Sequence, residues 1–146
     1  METRRITTLD ELAQIAGEVV ADCEQNEAPR VIALHGDLGA GKTAFVKEIS
    51  RILAIQEEVT SPTFGIMKSY HVPMHTQFQT LTHIDAYRID DVDEMRVLRF
   101  QELLEDKARL VCIEWPERIQ SVLPQNIYTV RLTLNTDATR DISFGL

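Results

Sequence analysis

The sequence predicts an α/β domain in three layers, with a mixed, mainly parallel central sheet and helices on both faces. Apolar segments at 31–34 and 110–113 are continuous rather than alternating, as in strands that a sheet buries on both faces. Stretches with helical spacing of apolar residues alternate with the strand candidates, and that order is typical of one sheet covered by helices. A length of 146 residues favours one domain, 1–146.

The first half of the chain alternates clearly between strands and helices. Residues 4–7 predict a short strand, and 8–11 have the form of a capping box, a hydroxyl residue followed three positions later by glutamate. Helical spacing of apolar residues then continues to about residue 23. The buried strand 31–34, a glycine-rich turn over 36–41 and a second amphipathic helix follow.

The second half predicts one further helix and the remaining strands. Residues 91–105 predict the helix, because apolar residues recur through it and acidic residues occupy its first turn. The strands are predicted over 64–72, 81–85, 110–114, 127–134 and 140–144. The last two alternate well enough to form a closing antiparallel pair.

Composition favours a soluble protein of the cytoplasm, monomeric on its own. Hydrophobic residues make up 44% and charged residues 26%, which is ordinary for a globular domain. No apolar run approaches the roughly 20 residues of a membrane helix, and the first residues lack the apolar stretch of a signal peptide. Cys23 and Cys112 form no C-x-x-C pair, so we expect both to be thiols.

The net charge of −8 bears on nucleic acid binding. A protein that grips nucleic acid directly usually carries a basic patch, because neutralising phosphates drives its affinity. The few clustered positive residues, such as Arg4 and Arg5, are too sparse for that. If the function involves RNA, we expect another protein to hold it.

One segment matches the phosphate-binding pattern G-x-x-x-x-G-K-[ST] at every fixed position. Glycines allow backbone angles that turn successive N–H groups inward at the start of a helix, where they bind anions. The lysine places a positive charge at the β- and γ-phosphates, and the threonine hydroxyl is a ligand for Mg²⁺. The segment is Gly36, Asp37, Leu38, Gly39, Ala40, Gly41, Lys42 and Thr43. It predicts an ATP or ADP site on a P-loop NTPase-like domain.

Two acids are the candidates for completing this site. Asp85 and Glu114 each follow an apolar strand, and ligands of open α/β sheets lie beyond the carboxyl ends of strands. One acid would hold Mg²⁺ and the other could orient the attacking water. The sequence contains no [NT]-K-x-D segment for reading guanine, which favours ATP over GTP.

Four blocks together resemble the TsaE family, small bacterial P-loop ATPases needed to make threonylcarbamoyladenosine in tRNA. The blocks are G-D-L-G-A-G-K-T at 36–43, V-T-S-P-T-F at 59–64, H-x-D-x-Y-R at 83–88 and E-W-P-E-R at 114–118. The resemblance covers nearly the whole chain, and the last three blocks are much more specific to the family than the first. The chain departs from the family pattern at 98–102, where many members carry a Gly-Leu-Glu-like turn.

The resemblance implies roles for particular residues. The segment from Gly39 to Ala44 would wrap the phosphates, and Thr43 and Glu114 would hold Mg²⁺. Asp85 would be the acid needed for hydrolysis, and Trp115 would flank the nucleotide. Thr60 and Ser61 would belong to a switch-like loop that senses the γ-phosphate.

The resemblance also implies the partners, homologues of TsaB and TsaD. TsaD would transfer the threonylcarbamoyl group, and this chain's ATP cycle would reset the TsaB–TsaD complex between turnovers. Contact with tRNA would be only indirect, through that complex.

Several alternatives stay open at this point. A small-molecule P-loop kinase would need an acceptor site and an arginine-bearing lid, and a nucleotide-binding module would lack useful hydrolysis. The hydroxyls of Thr60, Ser61 and Thr63 could simply brace Pro62. His83 and Tyr87 could simply pack against or orient the acid between them.

Overall fold

The computed structural model describes residues 1–62, 66–73 and 77–146. Within them the strands are β1 Glu2–Ile6, β2 Val31–His35, β3 Met67–His71, β4 Thr80–Asp85, β5 Arg109–Glu114, β6 Tyr128–Leu134 and β7 Arg140–Gly145. The α-helices are α1 Leu9–Cys23, α2 Lys42–Ile52, α3 Asp93–Val97 and α4 Phe100–Glu105, and Pro116–Val122 is a 3₁₀ segment. None of these helices is both long and apolar enough to cross a bilayer.

The seven strands form one sheet in the order β1-β7-β6-β2-β5-β4-β3. The four central strands, β6, β2, β5 and β4, are parallel neighbours, and both edges of the sheet are antiparallel. The apolar runs of β2 and β5 lie in this parallel centre, which is buried on both faces. The predicted mixed α/β sheet is confirmed.

The two faces of the sheet are covered by different helices. On one face α1 and α2 pack over a core that includes Ile15, Val19, Phe45 and Ile49. On the other face α3, α4 and the 3₁₀ segment cover a smaller core. Successive side chains of β5 point to opposite faces of the sheet, so Val111 belongs to the second core and Cys112 to the first. The predicted three layers are therefore confirmed.

The predicted capping box begins α1. The Thr8 hydroxyl accepts the Glu11 N–H at 3.2 Å, and the Glu11 carboxylate accepts the N–H of Thr7 at 3.2 Å. The helix ends at Cys23, as its apolar spacing predicts. The first bond satisfies an amide that the first helical turn would otherwise leave unpaired, and the second holds the residue just before the N-cap.

The prediction of one helix over 91–105 is wrong. The structure has two short helices with a break at Arg99, whose backbone is left-handed (φ 56°, ψ 43°). Met95 and Phe100 are both 1% exposed in the second core. Five residues apart on a continuous helix, they would point about 140° away from each other. The break turns both side chains into one core.

The predicted strand over 64–72 is shorter in its described part. It begins at Met67, and Phe64 and Gly65 lie outside the described residues. Its antiparallel pairing with β4 supports the predicted hairpin, although residues 74–76 of the link also lie outside the described residues.

Candidate active site

The carboxyl ends of three parallel strands meet at one edge of the sheet. Leu34 of β2 pairs with Glu114 of β5, and Glu114 pairs with Asp85 of β4. The three residues therefore lie in one row. The loop that leaves β2 leads into α2 at this same edge, which brings the glycine-rich segment next to both acids.

The glycine-rich loop needs two of its glycines for different reasons. Gly41 is the N-cap of α2 with φ 110°, and no side chain of the described residues caps the helix. The first amides of α2 thus have no partner within the helix and can bind an anion. Gly36 has φ 155°, and a Cβ there would lie 2.7 Å from the Leu132 carbonyl oxygen. That close approach seats the loop against β6.

A side chain from β7 also fixes the loop. Arg140 Nε donates to the Ala40 carbonyl at 2.9 Å, so the first residue of β7 holds the middle of the loop. The Asp37 carbonyl accepts the Ala40 N–H at 3.0 Å and closes a turn inside it. The loop is therefore held by its own backbone and by two strands beside it.

Lys42 is buried under the loop. Its ammonium donates to the carbonyl oxygens of Gly36 and Asp37, and Nζ lies 3.8 Å from the centroid of the Trp115 ring. Burial lowers the pKa of Lys42, and the negative charges nearby, with Glu114 first among them, oppose that shift. Within the described part of the chain the ammonium is held by carbonyls and an aromatic face. It can turn toward an anion, because phosphate oxygens are stronger acceptors.

Glu114 is the centre of a buried hydrogen-bond group. Thr43 Oγ1 donates to Glu114 Oε2 at 3.0 Å, and His83 Nε2 lies 2.6 Å from the same oxygen. Glu114 is 4% exposed and His83 0% exposed. Hydroxyl and carboxylate oxygens are the ligands that Mg²⁺ prefers, so Thr43 and Glu114 fit that ion by the chemistry of their donor atoms.

Asp85 and Trp115 occupy the opening beside this group. The Tyr87 N–H donates to Asp85 Oδ1 at 3.0 Å and fixes the carboxylate. Trp115 has a left-handed backbone (φ 56°, ψ 51°) that ends β5 sharply, and such strain in a non-glycine residue is common at functional sites. The Tyr87 and Trp115 rings lie 5.2 Å apart between centroids. Together the two rings form one side of the opening that Asp85 also lines.

These groups enclose a cavity of about 270 Å³, near the lower end of the range for ligand pockets. It is lined by Leu38, Gly39, Gly41, Lys42, Thr43, Ala44, Ser61, Asp85, Tyr87, Glu114 and Trp115. The structure thus brings together most of the residues that the sequence singled out, from four separate blocks of the chain.

Four of the singled-out residues are not part of the lining. The carbonyl oxygens of Gly36 and Asp37 accept hydrogen bonds from Lys42. Ala40 is buried, and its carbonyl oxygen accepts a hydrogen bond from Arg140. Thr60 is exposed to solvent, whereas its neighbour Ser61 reaches the cavity. The role of each residue toward a nucleotide stays a prediction.

Two contacts at the site were not predicted. His83 hydrogen-bonds Glu114, although its position two residues before Asp85 suggests an effect on Asp85. The strand register could have indicated this, because β4 and β5 lie side by side with parallel ends. Arg140 lies 100 residues from the carbonyl it holds, and no local pattern signals that contact.

Comparison with known proteins agrees with this geometry. The sequence profile of the family described as "Threonylcarbamoyl adenosine biosynthesis protein TsaE" matches residues 6–142. A tRNA threonylcarbamoyladenosine biosynthesis protein TsaE from Treponema pallidum is 39% identical over 117 residues, 80% of this chain and 82% of that protein. The protein of the same name from Bacillus subtilis is 36% identical over 118 residues, 78% of this chain and 68% of that protein.

A solved structure shares the fold. The crystal structure of Bacillus subtilis YdiB superposes with a TM-score of 0.69 and 27% identity, covering 98% of this chain and 83% of that chain. The profile match spans nearly all of this chain and includes the glycine-rich loop, Asp85 and Glu114. The chain belongs to the TsaE family of threonylcarbamoyladenosine biosynthesis proteins.

Proposed function

We propose that this chain is a Mg²⁺-dependent ATPase that acts in threonylcarbamoyladenosine modification of tRNA, where ATP hydrolysis resets a TsaB–TsaD complex between turnovers. The observation that carries the proposal is the convergence of Lys42, Thr43, Asp85 and Glu114 in one cavity at the start of α2. A phosphate nest, a cation and two acids are the parts that phosphoryl transfer to water requires.

The chain's own residues divide the work of binding. The free amides of the first turn of α2 receive the phosphates, and Lys42 turns from the loop carbonyls toward their negative charge. Thr43 and Glu114 would hold Mg²⁺, which neutralises charge on the β- and γ-phosphates when it is bound. Trp115 and Tyr87 line one side of the opening and would flank the nucleotide there.

Asp85 is the residue we assign to the attacking water. Its carboxylate lines the cavity and is fixed by the Tyr87 N–H, so one oxygen can accept a proton from water beside the phosphates. Ser61 lines the same cavity. We assign it to contact with the γ-phosphate, and Thr60 is proposed to act with it as part of a switch-like loop.

Regulation by partners is supported by two features. The cavity is open and small, so a docked protein could complete its wall and exclude water. The net charge of −8 argues against direct tRNA binding by this chain, so we assign the tRNA to the partner complex.

The test is ATP hydrolysis measured with and without homologues of TsaB and TsaD. We expect slow hydrolysis by the chain alone and faster release of phosphate with both partners. Asp85→Asn should bind ATP normally and lose hydrolysis, whereas Asp90→Asn, an exposed acid outside the cavity lining, should behave as wild type. Equal rates with and without the partners would contradict the regulatory role. Transfer of phosphate to a small-molecule acceptor would favour the kinase instead.

A further inference from the structure

His83 is a fully buried histidine in β4 that contacts an acid of the neighbouring strand β5. Its side chain is 0% exposed, and Nε2 lies 2.6 Å from Glu114 Oε2. In the strand register His83 pairs with Cys112 and Asp85 pairs with Glu114. The imidazole therefore reaches forward along the sheet edge to the acid of the next strand, on the face that carries α2.

The hydrogen bond between His83 and Glu114 indicates which ring nitrogen donates a proton. A carboxylate oxygen accepts, so Nε2 is the donor. Nδ1 is buried and has no hydrogen-bond partner within 1–62, 66–73 and 77–146. The hydrogen-bond geometry therefore places a proton on Nε2, directed at Glu114 Oε2.

We propose that His83 is a positioning residue that fixes the Glu114 carboxylate for Mg²⁺, an inference that rests on the proposed ATPase function. Both His83 and Thr43 donate to Oε2, and neither bond uses Oε1. The histidine bond holds the carboxylate independently of Thr43, whose hydroxyl is itself proposed as a ligand. Oε1 takes part in neither of these two bonds, and we assign it as the oxygen that would bind Mg²⁺.

The expected size of the effect follows from other metal sites. Side chains that orient a ligating group affect metal affinity by about 10- to 100-fold when they are replaced. A histidine that only fills space in the core would change stability without changing the dependence of ATP binding on Mg²⁺. The two explanations therefore separate in a binding measurement.

Three variants make the test specific. His83→Gln keeps an N–H donor near the position of Nε2, and His83→Leu removes it at similar volume. Ile84→Val is the matched control, because Ile84 is the next residue of β4, equally buried, and belongs to the core on the opposite face. ATP affinity is measured by calorimetry with Mg²⁺ and with EDTA for each protein.

We expect His83→Leu to lose about 10- to 100-fold of the Mg²⁺-dependent part of the ATP affinity. Its affinity in EDTA should stay at the wild-type value, His83→Gln should retain most of the Mg²⁺ dependence, and Ile84→Val should retain all of it. Wild-type Mg²⁺ dependence in His83→Leu would overturn the proposal. An equal loss in His83→Gln and His83→Leu, or a wild-type affinity that Mg²⁺ does not change, would also overturn it.

A second measurement uses only the wild-type protein, so it does not depend on whether a variant folds. Nitrogen-15 NMR of the histidine rings in the nucleotide-free wild-type protein should show a proton on His83 Nε2. A proton on Nδ1 alone would overturn the assignment. Failure of the ATPase proposal would look different: wild-type protein would release no phosphate, with or without partners, while His83→Leu would still reduce the Mg²⁺-dependent affinity.

Discussion

Replacing Gly36 by alanine should both destabilise the fold and weaken ATP binding. A Cβ at this position would lie 2.7 Å from the Leu132 carbonyl oxygen and 3.1 Å from the Ala40 Cβ. The first contact is with backbone, which cannot move aside without shifting β6. The backbone angle, φ 155°, is also unfavourable for a residue with a side chain.

Three contributions set the size of the effect. Overpacking against a rigid neighbour costs about 1–3 kcal/mol, and the unfavourable backbone angle costs about 1–3 kcal/mol. Restriction of the unfolded chain by alanine returns about 0.4–1 kcal/mol. We therefore expect the free energy of unfolding to fall by roughly 1–5.5 kcal/mol. ATP affinity should fall as well, because the Gly36 carbonyl that moves is an acceptor for Lys42.

Gly17→Ala is the matched control. Gly17 lies inside α1, and a Cβ there would meet only the Ile52 Cδ1 atom at 3.9 Å. Alanine in a helix interior is more favourable than glycine by about 0.5–1 kcal/mol, so this variant should be more stable than wild type. Urea denaturation followed by circular dichroism gives both free energies, and calorimetry gives ATP affinity. Equal stability of the two variants, or wild-type ATP affinity in Gly36→Ala, would refute the reasoning.

Three further predictions concern the site and the N-terminal strand. Thr43→Ala should weaken ATP binding in Mg²⁺ more than in EDTA, while Thr43→Ser should keep the wild-type ratio in calorimetry; equal losses in both buffers would contradict this. Arg140→Met should lower the free energy of unfolding by about 1.5–3 kcal/mol, because it removes a charged hydrogen bond to the loop; an unchanged urea midpoint would count against it. The Arg4 guanidinium lowers the pKa of Glu18 below its ordinary value of 4.5, so this pair contributes stability above pH 4.5 that is lost as the pH falls through the lowered pKa. Glu18→Gln should thus be less stable than wild type at neutral pH, with a deficit in urea midpoint that closes under acid conditions; a constant deficit would argue otherwise.

The sequence predicted the layers well because they depend on local periodicity. The continuous apolar runs of β2 and β5 and the amphipathic spacing of α1 are properties of short segments, and each folded as expected. The break at Arg99 was not predictable in this way. The break allows Met95 and Phe100 to be buried in the same core, and residues from other parts of the chain form most of that core.

The sequence predicted those site residues that belong to a known motif or stand at the end of a predicted strand. The glycine-rich loop, Asp85 and Glu114 met at one edge because parallel strands bring their carboxyl ends together. The roles of His83 and Arg140 depend on contacts between distant segments. Such contacts become visible only when the register and the order of strands are known.

The most direct test of the central claim is multiple-turnover tRNA modification by the TsaB and TsaD homologues, with wild-type chain or Asp85→Asn added. The proposed reset by ATP hydrolysis predicts repeated turnovers with wild type and a stop after about one turnover per complex with Asp85→Asn, although that variant still binds ATP. Repeated turnover with Asp85→Asn at the wild-type rate would contradict the claim.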